Sequence, residues 1–186
     1  MTSPISWLSI LVIPLLVTSL FYQASNATIE VKADQALLDS ICQQTEDYDF
    51  CMSTFHGDER TAVADRDGLA LLSIAINTDT VEATIDQIPD ILKTLTDPQD
   101  KYRIQNCLTD FSDALVQLRA AYTASSAKSY REVIGFIADV ARKAVDCDAE
   151  YKKSPPIRES PISDNTLKVT KLTDITFAII NTIIST

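Results

Sequence analysis

The stretch from Ile104 to Tyr151 limits what this chain can fold into, because it contains two amphipathic helical patterns joined by a short polar turn. Apolar residues recur along both arms at alternating steps of three and four, the spacing that keeps side chains on one face of a helix. The predicted faces are Ile104, Leu108, Phe111, Leu115, Leu118 and Tyr122 in the first arm, and Tyr130, Val133, Ile137, Val140, Ala144, Cys147 and Tyr151 in the second. The sequence therefore predicts an antiparallel helical hairpin that folds at residues 125–128.

Residues on both sides of the turn support the same hairpin. Ser129 and Glu132 have the S-x-x-E spacing of a capping box, which predicts that the second helix starts there. Cys107 and Cys147 lie at equal distances along the chain from Ala127, so they face each other when the hairpin closes. We therefore expect a disulfide between them.

The first 27 residues have the pattern of a secretory signal peptide. Residues 5–21 are almost entirely apolar, and small residues follow up to Ala27, so cleavage is expected before Thr28. A membrane anchor is the alternative, but the apolar run is short for a span and lacks charged flanks. We expect a secreted mature chain, residues 28–186, without a membrane segment.

Secretion changes the interpretation of the four cysteines, because an even number of cysteines in an oxidising compartment indicates disulfides. Three connectivities are possible, and the symmetry of the helical hairpins selects Cys42 with Cys51 and Cys107 with Cys147. A zinc site would need closer cysteine pairs or histidine ligands, and His56 is the only histidine of the chain. No metal site is predicted.

Helical patterns also precede the central hairpin. They indicate a helix over 29–44, a short helix over 48–55 and a long helix over about 60–95. Polar residues at 77–80 and Pro89 predict a bend or local irregularity within the long helix. A disulfide across the turn between the first two helices would stabilise a pair that is too short to be stable alone.

Further boundaries frame the central hairpin and the end of the chain. Asp97 followed by Pro98 has the pattern of an N-cap with proline at the first helical position, which predicts the start of the first arm. Residues 154–161 (SPPIRESP) contain three prolines and form a connection. Ser163 is expected to cap the last helix. The predicted inward face of that helix consists of Val169, Leu172, Ile175 or Thr176, Ile179 and Ile183.

Together these patterns predict an all-α protein. The expected architecture is an up-down-up-down four-helix bundle preceded by an N-terminal helical hairpin that a disulfide staples. The hairpin is expected within residues 28–57 and the bundle within residues 58–186. We find no repeat and no second domain.

Charge and composition exclude several classes of function. The formal charge of −10 repels phosphate backbones, so nucleic-acid binding is not expected. Three glycines cannot supply a phosphate-binding loop, no G-x-S-x-G elbow occurs, and a single histidine offers little for acid–base or nucleophilic catalysis. We expect a binding protein without catalytic activity or cofactor.

The chain resembles the plant invertase and pectin methylesterase inhibitor family over nearly its whole mature length. Residues 42–51 (CQQTEDYDFC) are similar to the C-x-x-T-…-C opening of the family, and residues 58–65 (DERTAVAD) to its D-x-R-S-x-x-A-D segment. Residues 160–165 (SPISDN), with the apolar helix that follows, are similar to its S-P-L-x-x-x-N ending. The order of the leader, the cysteines and the helices also resembles that of the family.

The resemblance implies a four-helix bundle with the disulfide pairing given above and no catalytic activity. It implies a protein of the apoplast or the vacuole that binds acid invertase (β-fructofuranosidase) or pectin methylesterase and blocks the carbohydrate cleft. The invertase-inhibitor branch carries a Pro-Lys-Phe motif near the turn between the second and third bundle helices. Here that place reads Ala127-Lys128-Ser129-Tyr130, so the lysine is present, the proline is absent and the aromatic residue is displaced by one position.

The resemblance therefore predicts target contacts by Lys128, Ser129 and Tyr130, and inhibition of acid invertase as the first hypothesis. Two alternatives stay open: inhibition of pectin methylesterase, and a secreted helical, allergen-like protein that inhibits neither enzyme. In the structural alternative for the turn itself, Lys128 is a solvated loop residue and Tyr130 is a core aromatic residue.

Overall fold

The computed structural model describes residues 35–185, and every regular element in that part of the chain is helical. The elements are α1 (Gln35–Cys42), α2 (Tyr48–His56), a short 3-10 helix (Glu59–Val63), α3 (Arg66–Thr94), α4 (Pro98–Ser126), α5 (Tyr130–Glu150) and α6 (Ser163–Ile184). The expected leader, its cleavage site and the first residues of the mature chain lie outside the described residues. Within residues 35–185, no helix is long and apolar enough to cross a membrane.

Helices α3 to α6 form the predicted four-helix bundle. Each of them packs against two others: α3 and α5 both contact α4 and α6. The connections at residues 95–97, 127–129 and 151–162 reverse the chain direction between successive helices, which gives the up-down-up-down order. The α1–α2 hairpin packs against α6, so the predicted fold class is confirmed.

Helix α3 begins at Arg66 rather than near residue 60, so this predicted boundary is wrong. The Asp65 side chain accepts a hydrogen bond of 2.8 Å from the Gly68 amide and thereby caps the helix. The residues just before Asp65 instead form the separate 3-10 helix.

The predicted irregularity does not interrupt α3, which is helical through residues 77–80 and through Pro89. Asn77 is completely buried, and its amide group donates to the Val169 carbonyl of α6 at 3.4 Å. The Thr78 hydroxyl donates to the Ile74 carbonyl of its own helix. The Asn77 amide nitrogen and the Thr78 hydroxyl therefore find partners in the bundle and the helix, although the buried Asn77 Oδ1 has no hydrogen-bond partner in the described part of the chain. The helix continues through the segment.

The caps of the later helices differ in how well local sequence predicted them. Asp97 caps α4 by accepting a bond of 2.9 Å from the amide of the residue after Pro98, as predicted. Ser163 does not cap α6: Ile162 holds the N-cap position, and the Ser163 hydroxyl donates to Glu159 at 3.2 Å. That hydroxyl therefore donates a hydrogen bond to a carboxylate instead of accepting one from a backbone amide of the helix.

The buried face of α4 is displaced by one residue at alternate turns from the predicted face. Leu108 and Leu115 are only partly buried, and 47% of Tyr122 is exposed. The buried positions of α4 are Asp100, Arg103, Ile104, Cys107, Phe111, Ala114, Leu118, Ala121, Ala124 and Ser125. Small residues thus fill every second step of the interior face, while larger apolar side chains flank it. The predicted face of α5 is buried from Val133 to Tyr151.

Two disulfides stabilise the fold. Cys42–Cys51 joins α1 to α2 with its Cα atoms 5.5 Å apart, and Cys107–Cys147 joins α4 to α5 with its Cα atoms 4.6 Å apart. All four cysteines are completely buried. The second bridge ties together the two arms of the central hairpin, whose small interior residues allow them to approach closely.

The proline-containing connection between α5 and α6 is held by a buried arginine. The Arg103 side chain is 2% exposed, and its guanidinium donates to the Pro156 carbonyl at 2.9 Å and to the Ser154 carbonyl at 2.5 Å. It also lies 3.4 Å from the Asp100 carboxylate and 5.5 Å from the centre of the Tyr151 ring. This cluster fixes the end of the bundle opposite the α4–α5 turn.

Gly135 in α5 offers a simple test of the helix. Apart from its chain neighbours and the adjacent backbone of α5, no heavy atom would lie within 4 Å of a Cβ atom added there. The position is exposed to solvent in the middle of the helix. We expect Gly135→Ala to raise the free energy of unfolding by about 0.5–1 kcal/mol, because alanine loses less backbone entropy in a helix. Urea denaturation measures the change. A loss of stability would mean that α5 is not a regular helix at this point.

Candidate functional site

The turn between α4 and α5 is where the resemblance predicts target contacts, and we call residues 127–130 the tip. The Ser129 amide donates to the Ala124 carbonyl at 2.9 Å, and the Lys128 amide donates to the Ser125 carbonyl at 2.9 Å. These two bonds form the Schellman arrangement that closes the C-terminus of a helix. The tip is therefore a short, hydrogen-bonded turn between two long helices.

Lys128 occupies the position of this turn that has a left-handed backbone, with φ at 58°. Glycine is the usual residue there, because a Cβ atom makes this conformation unfavourable by about 1–2 kcal/mol. Among the described residues, Lys128 is the only non-glycine residue with a positive φ. Its side chain is 68% exposed. The chain thus keeps an exposed cation where the backbone would favour glycine, and strained positions of this kind cluster at functional sites.

Ser129 lies at the N-cap position of α5, but the predicted capping box does not form. Its side chain makes no capping hydrogen bond, and only its carbonyl accepts bonds from the amides of Glu132 and Val133. The reason is that Ser129 also closes α4, with ψ at 58°, whereas side-chain caps favour an extended backbone. Ser129 is half-buried.

Tyr130 begins α5 and divides its side chain between two environments. Its ring packs partly buried against the hydrophobic core, while its hydroxyl donates to Asp67 Oδ1 at 2.6 Å. Of the three predicted contacts, Lys128 is therefore the exposed one. Tyr130 also packs against the core, as expected if it is a core aromatic residue.

Asp67 is the residue at this site that the sequence did not indicate. It lies in the first turn of α3, where an acidic residue is favourable for the helix dipole, so its position alone suggests no further role. In the structure, its two carboxylate oxygens accept from the Lys128 ammonium and from the Tyr130 hydroxyl. We call Asp67, Lys128 and Tyr130 the clamp.

The clamp shifts the pKa of each of its members. The bond from Lys128, and then the bond from Tyr130, lower the pKa of Asp67 below its ordinary 3.8. The bond to Asp67 raises the pKa of Lys128, and burial followed by the bond to Asp67 raises the pKa of Tyr130 to about 12. Because the folded pKa of Asp67 is lowered, its contribution to stability is present above the ordinary value and is lost only as the pH falls through the lower folded value.

A second concave region lies at the opposite end of the bundle, with a volume of about 690 Å³. It is formed by the end of α5, the proline-containing connection and the start of α6. Its basic side chains are paired: Lys152 with Asp148, and Arg158 with Asp97 and Asp100. Within residues 35–185, no group of three or more histidine, cysteine, aspartate or glutamate side chains is arranged so that it could hold a metal ion.

Comparisons with known proteins agree with this fold. Residues 36–179 match the model of the family described as plant invertase/pectin methylesterase inhibitor. A pectinesterase inhibitor from Actinidia deliciosa is 27% identical over 173 residues, which cover 93% of each chain. A cell wall / vacuolar inhibitor of fructosidase from Arabidopsis thaliana is 30% identical over 106 residues, which cover 56% of this chain and 59% of the relative.

A solved structure shows the same fold. The crystal structure of mutant form A of a pectin methylesterase inhibitor from Arabidopsis superposes with a TM-score of 0.69 and 18% sequence identity, over 77% of this chain and 95% of that chain. This structural match concerns the fold, and the family match extends over more than half of the 186 residues. The chain belongs to the plant invertase/pectin methylesterase inhibitor family.

Proposed function

We propose that this protein is a secreted inhibitor that binds plant acid invertase and blocks its active-site cleft with the tip. Its role as an inhibitor rests on the family, whose members are inhibitors and not enzymes. The choice of target rests on the tip. The location, outside the cell or in the vacuole, is supported by the leader-like pattern of residues 1–27 and by the relative named for the cell wall and the vacuole.

The observation that carries the proposal is the exposed ammonium of Lys128 at the end of a rigid hairpin. Glycosidases hydrolyse their substrates with a pair of carboxyl groups that flank the scissile bond. A lysine has three donors and no acceptor, so it complements such carboxylates. A positive group that enters the cleft would occupy the substrate position without offering a bond to cleave.

The support beneath the tip suits an inhibitor of this kind. The Cys107–Cys147 bridge joins the two helices that carry the tip, and the Schellman bonds close the turn between them. A tip that is already ordered loses less conformational entropy on binding than a flexible loop does. Such preorganisation raises the affinity without additional contacts.

Inhibition of pectin methylesterase is the second candidate function. It is favoured by the relative from Actinidia deliciosa, which is named a pectinesterase inhibitor and matches 93% of this chain. A secreted, allergen-like protein without inhibitory activity is the alternative of another class. Assays of sucrose hydrolysis and of methanol release from pectin, run side by side at acidic pH, discriminate among the three.

The Lys128→Gly variant tests the role of the tip. Glycine keeps the left-handed backbone and removes only the side chain, so we expect unchanged or slightly higher thermal stability. We also expect inhibition of acid invertase to weaken by about 10-fold or more, as for the loss of a charge-assisted hydrogen bond at an interface. The inhibition constant and the melting temperature are measured on the same preparations.

A lysine at the other end of the bundle supplies the control. Lys152→Gly removes the same charge near the end of α5, far from the tip, and is expected to leave the inhibition constant within about twofold. Equal inhibition by wild type and Lys128→Gly would contradict binding through the tip. A wild-type protein that blocks only pectin methylesterase would replace the first target by the second.

A further inference from the structure

We infer that Asp67 is a positioning residue of the inhibitory site, which holds Lys128 and Tyr130 so that the tip meets its target in one conformation. This inference rests on the proposed function and deepens it. It adds to the site a residue of α3, which lies outside the α4–α5 hairpin.

The geometry of the clamp supports this role. Asp67 Oδ2 accepts from the Lys128 ammonium, and Asp67 Oδ1 accepts from the Tyr130 hydroxyl at 2.6 Å. One carboxylate thus bridges two side chains that flank Ser129 in the turn. Charge-assisted hydrogen bonds are the stronger class of hydrogen bond in proteins, and a bridge between two donors restricts both.

Asp67 is itself held in a fixed place. It is the second residue of α3, directly after the start that Asp65 caps through the Gly68 amide. A Cβ atom at Gly68 would lie 3.2 Å from the Ala64 Cβ and 3.3 Å from Asp65 Oδ1, so a larger residue there would crowd the cap. The close cap fixes the backbone of the first turn of α3 and therefore the position of the Asp67 Cα atom, from which the side chain extends.

The clamp orders Lys128 without using up its capacity to bind. The ammonium has three donors, and the clamp uses one of them. The Lys128 side chain remains 68% exposed, whereas that of Asp67 is 33% exposed. A side chain as long as lysine loses rotamer entropy when it becomes fixed. The bond to Asp67 accounts for part of this cost before the target is met, so binding should be tighter.

The groups around Asp67 keep its carboxylate ionised at mildly acidic pH. Lys128 and Tyr130 both lower the pKa of Asp67, and Asp65 is the other acidic group that acts on Lys128 and Tyr130. The carboxylate therefore stays ionised at the mildly acidic pH at which acid invertases are assayed. Tyr130 remains a neutral donor there, since its pKa is about 12.

The test compares Asp67→Asn with Asp164→Asn. Both aspartates are the second residue of a bundle helix, α3 or α6, so both variants lose one negative charge from a helix N-terminus. Only Asp67→Asn weakens the clamp. We expect the amides of Lys128 and Ser129 to exchange with solvent about 10-fold faster in Asp67→Asn, by NMR, and to be unchanged in Asp164→Asn.

Inhibition supplies the second readout. We expect Asp67→Asn to weaken inhibition of acid invertase by about 10-fold and Asp164→Asn by less than twofold. If Asp67 acts through its two donors, the same substitution should have little further effect in a Lys128→Gly, Tyr130→Phe background, because coupled residues are not additive. An additive loss would show that Asp67 contacts the target directly and would overturn the positioning role.

The remaining outcomes separate the two proposals. Unchanged amide exchange in Asp67→Asn overturns the clamp as an ordering device, whatever the inhibition shows. Faster exchange with unchanged inhibition overturns its role in binding. If the wild type inhibits neither enzyme, the proposed function fails, and the exchange experiment still decides whether Asp67 orders the tip.

Discussion

Replacing Cys107 and Cys147 together by alanine is expected to lower the free energy of unfolding by about 4 kcal/mol, because the bridge closes a loop with a sequence separation of 40 residues. Without it, the unfolded chain gains the freedom to separate the two arms of the central hairpin. Alanine is the suitable replacement because both cysteines are completely buried and alanine adds no polar group to the interior. Urea denaturation at neutral pH measures the loss.

The other bridge provides an internal comparison. Cys42–Cys51 has a sequence separation of only 9, so its removal is expected to cost less, about 2.5 kcal/mol on the same loop-entropy account. The order of the two effects is the sharper part of the prediction. A larger loss from the short loop would show that native packing of the α1–α2 hairpin on α6, and not loop entropy, dominates.

Replacing Arg103 by methionine is expected to cost about 3 kcal/mol, the lower end of the range for removing one partner of a buried ion pair. The substitution preserves much of the volume but leaves Asp100, which is 5% exposed, with Arg158 as its remaining cationic partner. The carbonyls of Ser154 and Pro156 also lose their donor. The proline-containing connection should then detach from the bundle first.

An exposed ion pair shows what an arginine contributes without burial. Arg119 lies 3.1 Å from Glu82, with side chains 65% and 46% exposed, so Arg119→Met is expected to change stability by less than about 0.5 kcal/mol. Urea denaturation of both variants gives the comparison. Similar losses in the two would mean that Arg103 is better hydrated than its surroundings indicate, and would contradict its role as an anchor.

Local sequence was sufficient where the cause of the structure is local. The Asp97–Pro98 start of α4 depends only on a side-chain cap and a fixed φ, and both can be recognised from two adjacent residues. The buried face of α5 follows from its apolar spacing, and its predicted positions from Val133 to Tyr151 are all buried. Helix type, helix order and the bundle were therefore predictable.

Local sequence failed where competition between neighbours decides. Leu108 is more apolar than Cys107 by ordinary scales, so the pattern placed the leucine inside α4, yet the interior takes the smaller residue. The choice depends on how closely α5 approaches, which α4 cannot specify alone. Asn77 was likewise assigned to an interruption because its partner, the Val169 carbonyl, belongs to a distant helix.

At the site, the sequence by itself determined the position of the tip, the lysine on it and the family that it resembles. Only the tertiary structure revealed the left-handed backbone of Lys128 and the carboxylate of Asp67 that holds it. The physical reason is distance along the chain: Asp67 and Lys128 are 61 residues apart. Hydrophobic periodicity reports which face of each helix is buried, but it carries no record of which polar groups meet when the helices pack.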